Sequence, residues 1–542
     1  MKEKFLFWRI NSWLFGTLLV LPIIAIFITA MGNSDQVFSH LMNTVMSTYA
    51  LNTLGLVVGT VLLTLVFGLP CAWLMAMCRL PGEKILQWAL ILPLAMPGYI
   101  VGYLYTHWFD YAGPIQIWLR ELFGWQHVSD YWFPDLRSLW GACFVLALVL
   151  YPYVYLLVRA AFMEQSNNLL QSARLLGCSP WQSFKRISLP LARPAIAVGV
   201  SLVAMEALGD FGTVSYFALN TLTTAVYDTW LGYSNLNAAA KISAIMLMVI
   251  FLLISSERFS RRKQKMFQQQ CGNDNHTKYQ LTGWKKWLAV SWCWGLVGCA
   301  FILPMLQLGY YAIDYFEQSW TEQFQTYSFN SLMVSLAAAI FAVLLALMVN
   351  FYQRLDGRGI STVPMRLASL GYAVPGTVLA IGVMIPLTSA DHMVNDIARS
   401  LDLGRPGLIF SGSMFAIIFA FVVRFAAVAI GSIESSLVKI PPSLDMAAKT
   451  MGYASTAMLR KVHLPLIRRG CLIAGLLVFI ESMKELNAAI LLRPFNFETL
   501  ATYVFNFASD EQLEVAAFPA ILLVVVGLIP LVIVNRSLEQ KH

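Results

Sequence analysis

The chain of 542 residues is 58% hydrophobic and only 12% charged, with a mean hydropathy of +0.65. Soluble domains carry about 25% charged residues, so a large water-soluble enzyme is excluded. The net charge of +8 invites a nucleic-acid reading, but its distribution along the chain excludes that partner.

In chain order the apolar runs predict twelve membrane helices, near 10–31, 50–77, 86–107, 139–158, 195–218, 239–256, 286–311, 330–351, 367–388, 411–433, 470–491 and 515–534. Runs of roughly 18 to 25 residues are too long for the strands of a membrane barrel, which need only about ten. A backbone in lipid must satisfy its own hydrogen bonds, so helices remain. The expected fold class is therefore an all-α membrane protein of about twelve transmembrane helices. The first apolar segment, Trp8 to Met31, lacks a small-residue cleavage site and is expected to stay as a helix.

With the N-terminus placed in the cytoplasm, all but seven of the 37 Lys and Arg residues fall in cytoplasmic segments or at their edges. The seven are Arg120, Arg137, Lys241, Arg399, Arg405, Lys484 and Arg493. This asymmetry is the positive-inside pattern, and it puts both termini in the cytoplasm. The basic excess thus sets topology; the lipid bilayer is the partner it implies, and no nucleic acid is expected. Arg159 and Arg424 read as snorkelling residues at the cytoplasmic ends of the fourth and tenth spans.

The basic stretch 257–285 has no sustained apolar run and reads as a cytoplasmic linker between a first half, 1–256, and a second, 286–542. Landmarks repeat across it. Met96-Pro97-Gly98 answers Val374-Pro375-Gly376, and Asn52 answers Asn330, at a spacing of 278. Six spans in each half imply parallel repeats, with a substrate path where the halves meet. Pro97 and Pro375, each followed by glycine, are expected to kink or break their helices.

The strongest repeat lies in the cytoplasmic loops near 163–192 and 435–469. Gln171 to Arg193 recurs 275 positions later as Met446 to Arg468. Ala173 pairs with Ala448, Gly177 with Gly452, Leu189 with Leu464 and Pro190 with Pro465. Gly177 suits a left-handed helix stop, Ser179-Pro180 a helix start, and each proline a point where the next membrane helix sets off at an angle.

These loops resemble the EAA loop of ATP-binding-cassette importer permeases, a signature of EAA, three residues, Gly, nine residues, then I-x-L-P. Gln171-Ser172-Ala173 and Met446-Ala447-Ala448 replace the EAA triplets, while Ile187-Ser188-Leu189-Pro190 and Val462-His463-Leu464-Pro465 keep the ending. The resemblance implies the type I importer permease fold, with both loops docking on two copies of a cytoplasmic ATPase subunit that carries ATP and Mg. The chain has no Gly-Lys dipeptide and so no Walker A loop; no catalytic residue is expected, and no cofactor bound by the chain itself. Further strings, Pro152 to Phe162, Met205 to Phe217, Thr221 to Trp230 and Lys484 to Thr502, resemble the double-length ferric-iron permeases of the bacterial inner membrane. That resemblance implies a periplasmic ferric-iron-binding protein as partner. Fused permeases for thiamine or phosphonates share the architecture, and an ion-coupled carrier would share twelve helices but needs no matched loops.

At the 275 spacing Glu206 pairs with Glu481, and Asp210 with Glu485. Acids four residues apart share one face of a helix, and an acid within a span costs about 2.5–3.5 kcal/mol on insertion scales. Hard oxygen ligands suit a hard cation, so these four are expected to line the translocation path. An internal pair with Lys484 is the simpler explanation for Glu481 and Glu485. Eight cysteines form no CxxC pair, and His107, His127, His392 and His463 share no ligand spacing, so no fixed metal site is expected.

Overall fold

A computed structural model describes residues 2–33, 36–165, 171, 175–177, 179–262, 278–357 and 359–539. Apart from one two-residue strand pair, its regular elements are helical. Among the described residues ten helices are long and apolar enough to cross a bilayer, and a bent pair, Glu83–Ala95 with Gly98–Phe123, makes eleven. At the position of the twelfth expected span lies a helix, Ala517–Glu539, described as an apolar helix over Ala517–Ile529. By length and apolarity, ten or eleven of the twelve expected spans stand among the described residues.

The third and ninth spans break as their prolines require. Leu92–Ala95 and Leu370–Ala373 are 3₁₀ turns, and helices restart at Gly98 and Gly376. Between them the chain is extended, with ψ 125° at Met96 and 126° at Val374. A residue before proline is pushed out of the helical region by the ring's Cδ, and the first break bends its span by 93°.

The chain forms two compact units, each drawing on both halves. Unit 1 comprises Met1–Thr44, Ala225–Leu247 and Trp320–Asn506. Here α1 (Lys2–Ala30) packs on long helices that include Glu322–Asp356 and Gly376–Ser400. Contact is close enough that Ser12 Oγ donates to Met348 O at 3.2 Å, and Trp8 lies edge-on to Phe351 at 4.9 Å. Asp391, fully buried, accepts from the backbone N–H groups of Phe410 and Ser411, each at 2.8 Å, and so ties down the following loop.

Unit 2 comprises Val45–Thr224, Met248–Ser319 and Phe507–His542. Its centre is the packing of α2 (Met46–Met77) on α3 (Leu139–Met163). Small residues let the two backbones approach, the usual basis of helix association in lipid. A Cβ on Gly59 would meet Cys143 Sγ at 2.7 Å, and one on Gly68 would meet Tyr151 O at 2.9 Å.

The 278-residue spacing is a repeat of hydrogen bonds as well as of letters. Asn52 Nδ2 donates to Asn220 O at 3.0 Å in unit 2, and Asn330 Nδ2 to Glu498 O at 3.4 Å in unit 1. Leu222 N–H donates to Thr53 Oγ1, and Leu500 N–H to Ser331 Oγ. Polar side chains inside a bilayer protein are thus spent on the backbone groups that irregular turns expose.

Close packing predicts a contrast between two helical glycines. A Cβ at Gly382 would lie 2.6 Å from Pro22 O, whereas one at Gly431 meets nothing within 4 Å. Gly382→Ala is expected to lower stability by roughly 1–3 kcal/mol through overpacking. Gly431→Ala should be neutral or slightly stabilising, and thermal unfolding of the purified variants in detergent measures both.

Candidate functional site

The two repeated loops share local geometry at the 275 spacing. Gly177 has φ +80° and Gly452 φ +77°, the left-handed conformation that suits glycine. Short helices come next, Pro180–Ser183 and Ser455–Met458, then π-helical turns, Phe184–Ser188 and Leu459–His463. Long helices begin at the same register, α4 (Leu189–Gly209) and its partner Leu464–Lys484. Ser179 starts the first as expected: Gln182 N–H donates to Ser179 Oγ at 3.3 Å, and Ser179 N–H to Gln182 Oε1 at 3.0 Å.

One expectation is modified. The helices do not set off at an angle at the prolines; Trp181–Gly209 and Ser455–Lys484 each run on as one long helix. A widened turn just ahead of Pro190 and Pro465 accommodates the ring that would otherwise clash with the preceding turn. Ala173, with most of the segment ahead of Gly177, lies outside the described residues.

Ala448 is buried in a cluster with Trp8, Phe351, Tyr352 and Met458. Beside it sits an ionic clamp that sequence reasoning missed. Arg354 donates from Nε to Asp445 Oδ2 at 2.8 Å, and from its Nη atoms to Leu437 O and Ile440 O. The other Asp445 oxygen meets buried His463 Nε2 at 2.6 Å. Burial alone would raise the Asp445 carboxyl; the hydrogen bonds from Arg354 and His463 outweigh it and hold the group below the ordinary carboxylate range. Apolar side chains point outward just ahead of both glycines: Leu176 is 84% exposed, and its partner at the 275 spacing, Met451, 70%.

The four acids occupy two different environments. Glu206 is half-buried on α4, and Glu481 is 43% exposed at its side chain, 3.6 Å from Lys484. Asp210 and Glu485 do not continue the helical face. Each is the first extended residue past the helix, with ψ 130° and 108°, and each caps the next turn of the chain. Asp210 accepts from Thr213 N–H at 2.9 Å and Val214 N–H at 3.2 Å, and Glu485 from Ala488 N–H at 3.1 Å.

Arg424 is not a snorkelling residue. It sits within Met414–Leu437, and its Nη1 lies 3.3 Å from Glu485 Oε1, with the two side chains 13% and 8% exposed. Gly376 admits the pair: a Cβ there would fall 2.6 Å from both atoms. At the 278 spacing the first half has Leu146 beside Gly98, with Thr213 Oγ1 as the polar neighbour. Nothing in the letters near Arg424 signals a partner 61 residues away in sequence, so only the tertiary contact exposes it. Among the described residues no three His, Cys, Asp or Glu side chains gather as a metal site would need.

Two measurements check these assignments. Removing one member of a buried pair strands the other, so Arg424→Met should lower stability by roughly 3–5 kcal/mol. Adding Glu485→Gln to it should recover most of that loss in the same thermal assay. For Asp445 the folded pKa is depressed, so its stabilisation is present above the unfolded carboxylate value of about 4 and is lost as pH falls through the folded one. Hydrogen exchange over Pro442–His463 should therefore accelerate at acid pH, and Asp445→Asn should remove this group's share of that dependence.

Known proteins place this geometry. Residues 68–265 match the family model described as binding-protein-dependent transport system inner membrane component. The chain is 26% identical to the Fe(3+)-transport system permease protein FbpB 2 of Haemophilus influenzae over 494 residues, 90% of this chain and 89% of that protein. It is 33% identical over 214 residues to the molybdenum transport system permease protein ModB of Escherichia coli, covering 38% of this chain and 90% of ModB. The sulfate transport system permease protein CysT of Escherichia coli is 29% identical over 210 residues, 36% of this chain and 72% of that protein. The chain belongs to the binding-protein-dependent ABC importer permeases, multi-pass inner-membrane subunits that carry no catalytic site of their own.

Proposed function

We propose that this permease imports ferric iron from the periplasm to the cytoplasm. The observation that carries the reading is length: similarity to a permease named for Fe(3+) runs through nearly the whole doubled chain, 494 residues. In this reading iron arrives on a periplasmic binding protein, and two cytoplasmic ATPase subunits, holding ATP and Mg, drive the cycle. Twelve spans in two parallel six-helix repeats, 1–256 and 286–542, with both termini cytoplasmic, complete the proposed arrangement.

The loops around Gly177 and Gly452 are the proposed docking elements. Their matched glycine stops, π turns and outward apolar residues, Leu176 and Met451, support that role. Apolar side chains left in water are stabilised by a partner surface that covers them. A rigid helix running from each loop into a membrane-spanning segment would carry the push inward.

Within the membrane we assign the path to Glu206 and Glu481, with Asp210 and Glu485 shaping the turns beside them. Capping already occupies the latter two. The relationship to ModB and CysT supports a second reading, in which the cargo resembles that of a molybdenum or sulfate permease.

Reconstitution with the ATPase subunits and binding protein separates the two. Radiolabelled ferric iron should be taken up in an ATP-dependent manner, and Glu206→Gln with Glu481→Gln should lower that uptake at least tenfold, about 1.4 kcal/mol of barrier, with assembly intact. Undiminished uptake in the double variant would remove the acids from the path. Transport of molybdate or sulfate in place of iron would establish the second reading.

A further inference from the structure

The segment joining the two halves reads from its charge as a solvated tether, yet its described end is built into unit 2. Tyr279–Gln280 (β2) pairs in parallel with Cys78–Arg79 (β1), Cys78 opposite Tyr279 and Arg79 opposite Gln280. β1 comes directly after α2, whose last carbonyls have no donors within the helix. Lys278 Nζ reaches one of them, Met75 O, at 3.4 Å and also ion-pairs with Glu83. Glu83 in turn accepts from Gln87 Nε2 at 2.9 Å. Both charged side chains are only 23% exposed, so water screens this pair less than an open surface bridge.

From β2 an aromatic chain leads to the first cytoplasmic loop. The Tyr279 ring stacks on Trp73 with centroids 6.1 Å apart, and Trp73 lies edge-on to Phe184 at 5.5 Å. Phe184 opens the π turn, stacks on Trp181 at 5.3 Å and touches Phe162 at 6.3 Å. The second loop is held differently, by Arg354. Its counterpart at the 275 spacing is Arg79, which is exposed and contributes its backbone to β1 instead. A segment from the far side of the linker thus stands where the second half uses a guanidinium.

We propose that Lys278–Gln280 is a strap that braces the first ATPase-coupling loop, so the two loops are held by unlike devices. Strain applied to Trp181–Ser188 passes through Phe184 and Trp73 to the end of α2 and to the linker. The proposal rests on the coupling role assigned to that loop, but the brace has a readout of its own.

In the full chain, Tyr279→Ala should raise hydrogen exchange across Phe184–Ser188. In proteoliposomes with ATPase subunits and binding protein it should cut ferric uptake per ATP hydrolysed about threefold, a size usual for residues that tune coupling. Tyr279→Phe keeps the ring and should preserve both values. Lys278→Glu and Glu83→Lys should each loosen the strap, and the two together should restore it, which guards against a variant that merely fails to fold. Unchanged exchange in both Tyr279→Ala and Lys278→Glu overturns the strap. Raised exchange with an unchanged uptake-to-ATP ratio overturns its part in coupling. Retention of the ATPase subunits by a chain with Gly177→Val and Gly452→Val would overturn the coupling role itself, leaving exchange as the test of the brace.

Discussion

Backbone hydrogen bonding in a medium without water is the constraint on which this structure depends. A regular helix satisfies it alone; every departure from the helix must be repaired by a neighbour. Several departures among the described residues have a repair that can be named. Asp210 and Glu485 receive the N–H groups that open the next short helices. Asn52 and Asn330 cover carbonyls of the adjoining turns, and Thr53 and Ser331 accept from Leu222 and Leu500. Asp210 and Glu485 lie at those breaks, where an interrupted helix gives an acid N–H groups to accept from.

Duplication supplies the frame and divergence supplies the differences. The two repeated loops keep the same order of glycine stop, short helix, π turn and long helix. Their anchors have parted: Arg354, Asp445 and His463 in one, Lys278, Tyr279 and Trp73 around the other. Beside Gly98 the neighbours are Leu146 and Thr213, while beside Gly376 they are Arg424 and Glu485. An ion pair so deeply covered contributes more to specifying one arrangement than to net stability, since desolvation offsets much of its attraction.

Much of this was legible in the letters. Apolar run lengths marked the spans, Pro97 and Pro375 marked the broken ones, and identical offsets marked the paired loops with their left-handed glycines. The resemblance carried the family and its division of labour with separate ATPases. What misled was local reasoning about charge. Arg424 looked like a span-end residue, the Glu/Asp pairs looked like one helical face, and the linker looked unattached. For the first and last the deciding neighbour lies far along the chain, 61 residues for Arg424 and Glu485 and 195 for Lys278 and Glu83, whereas Asp210 and Glu485 cap N–H groups three or four residues on.

By itself, then, the sequence determined membrane residence, helical class, the doubled plan and the position of each break, because hydropathy, proline sterics and repeat spacing are local or periodic properties. Tertiary structure alone decided which arginines are clamps, and that the linker's end docks on the end of α2. It also decided how the chain is shared between compact units, with Met1–Thr44 in the unit that holds Trp320–Asn506. Pairing across long separations depends on which surfaces meet after the helices pack, and one chain's letters do not encode that choice in any short window.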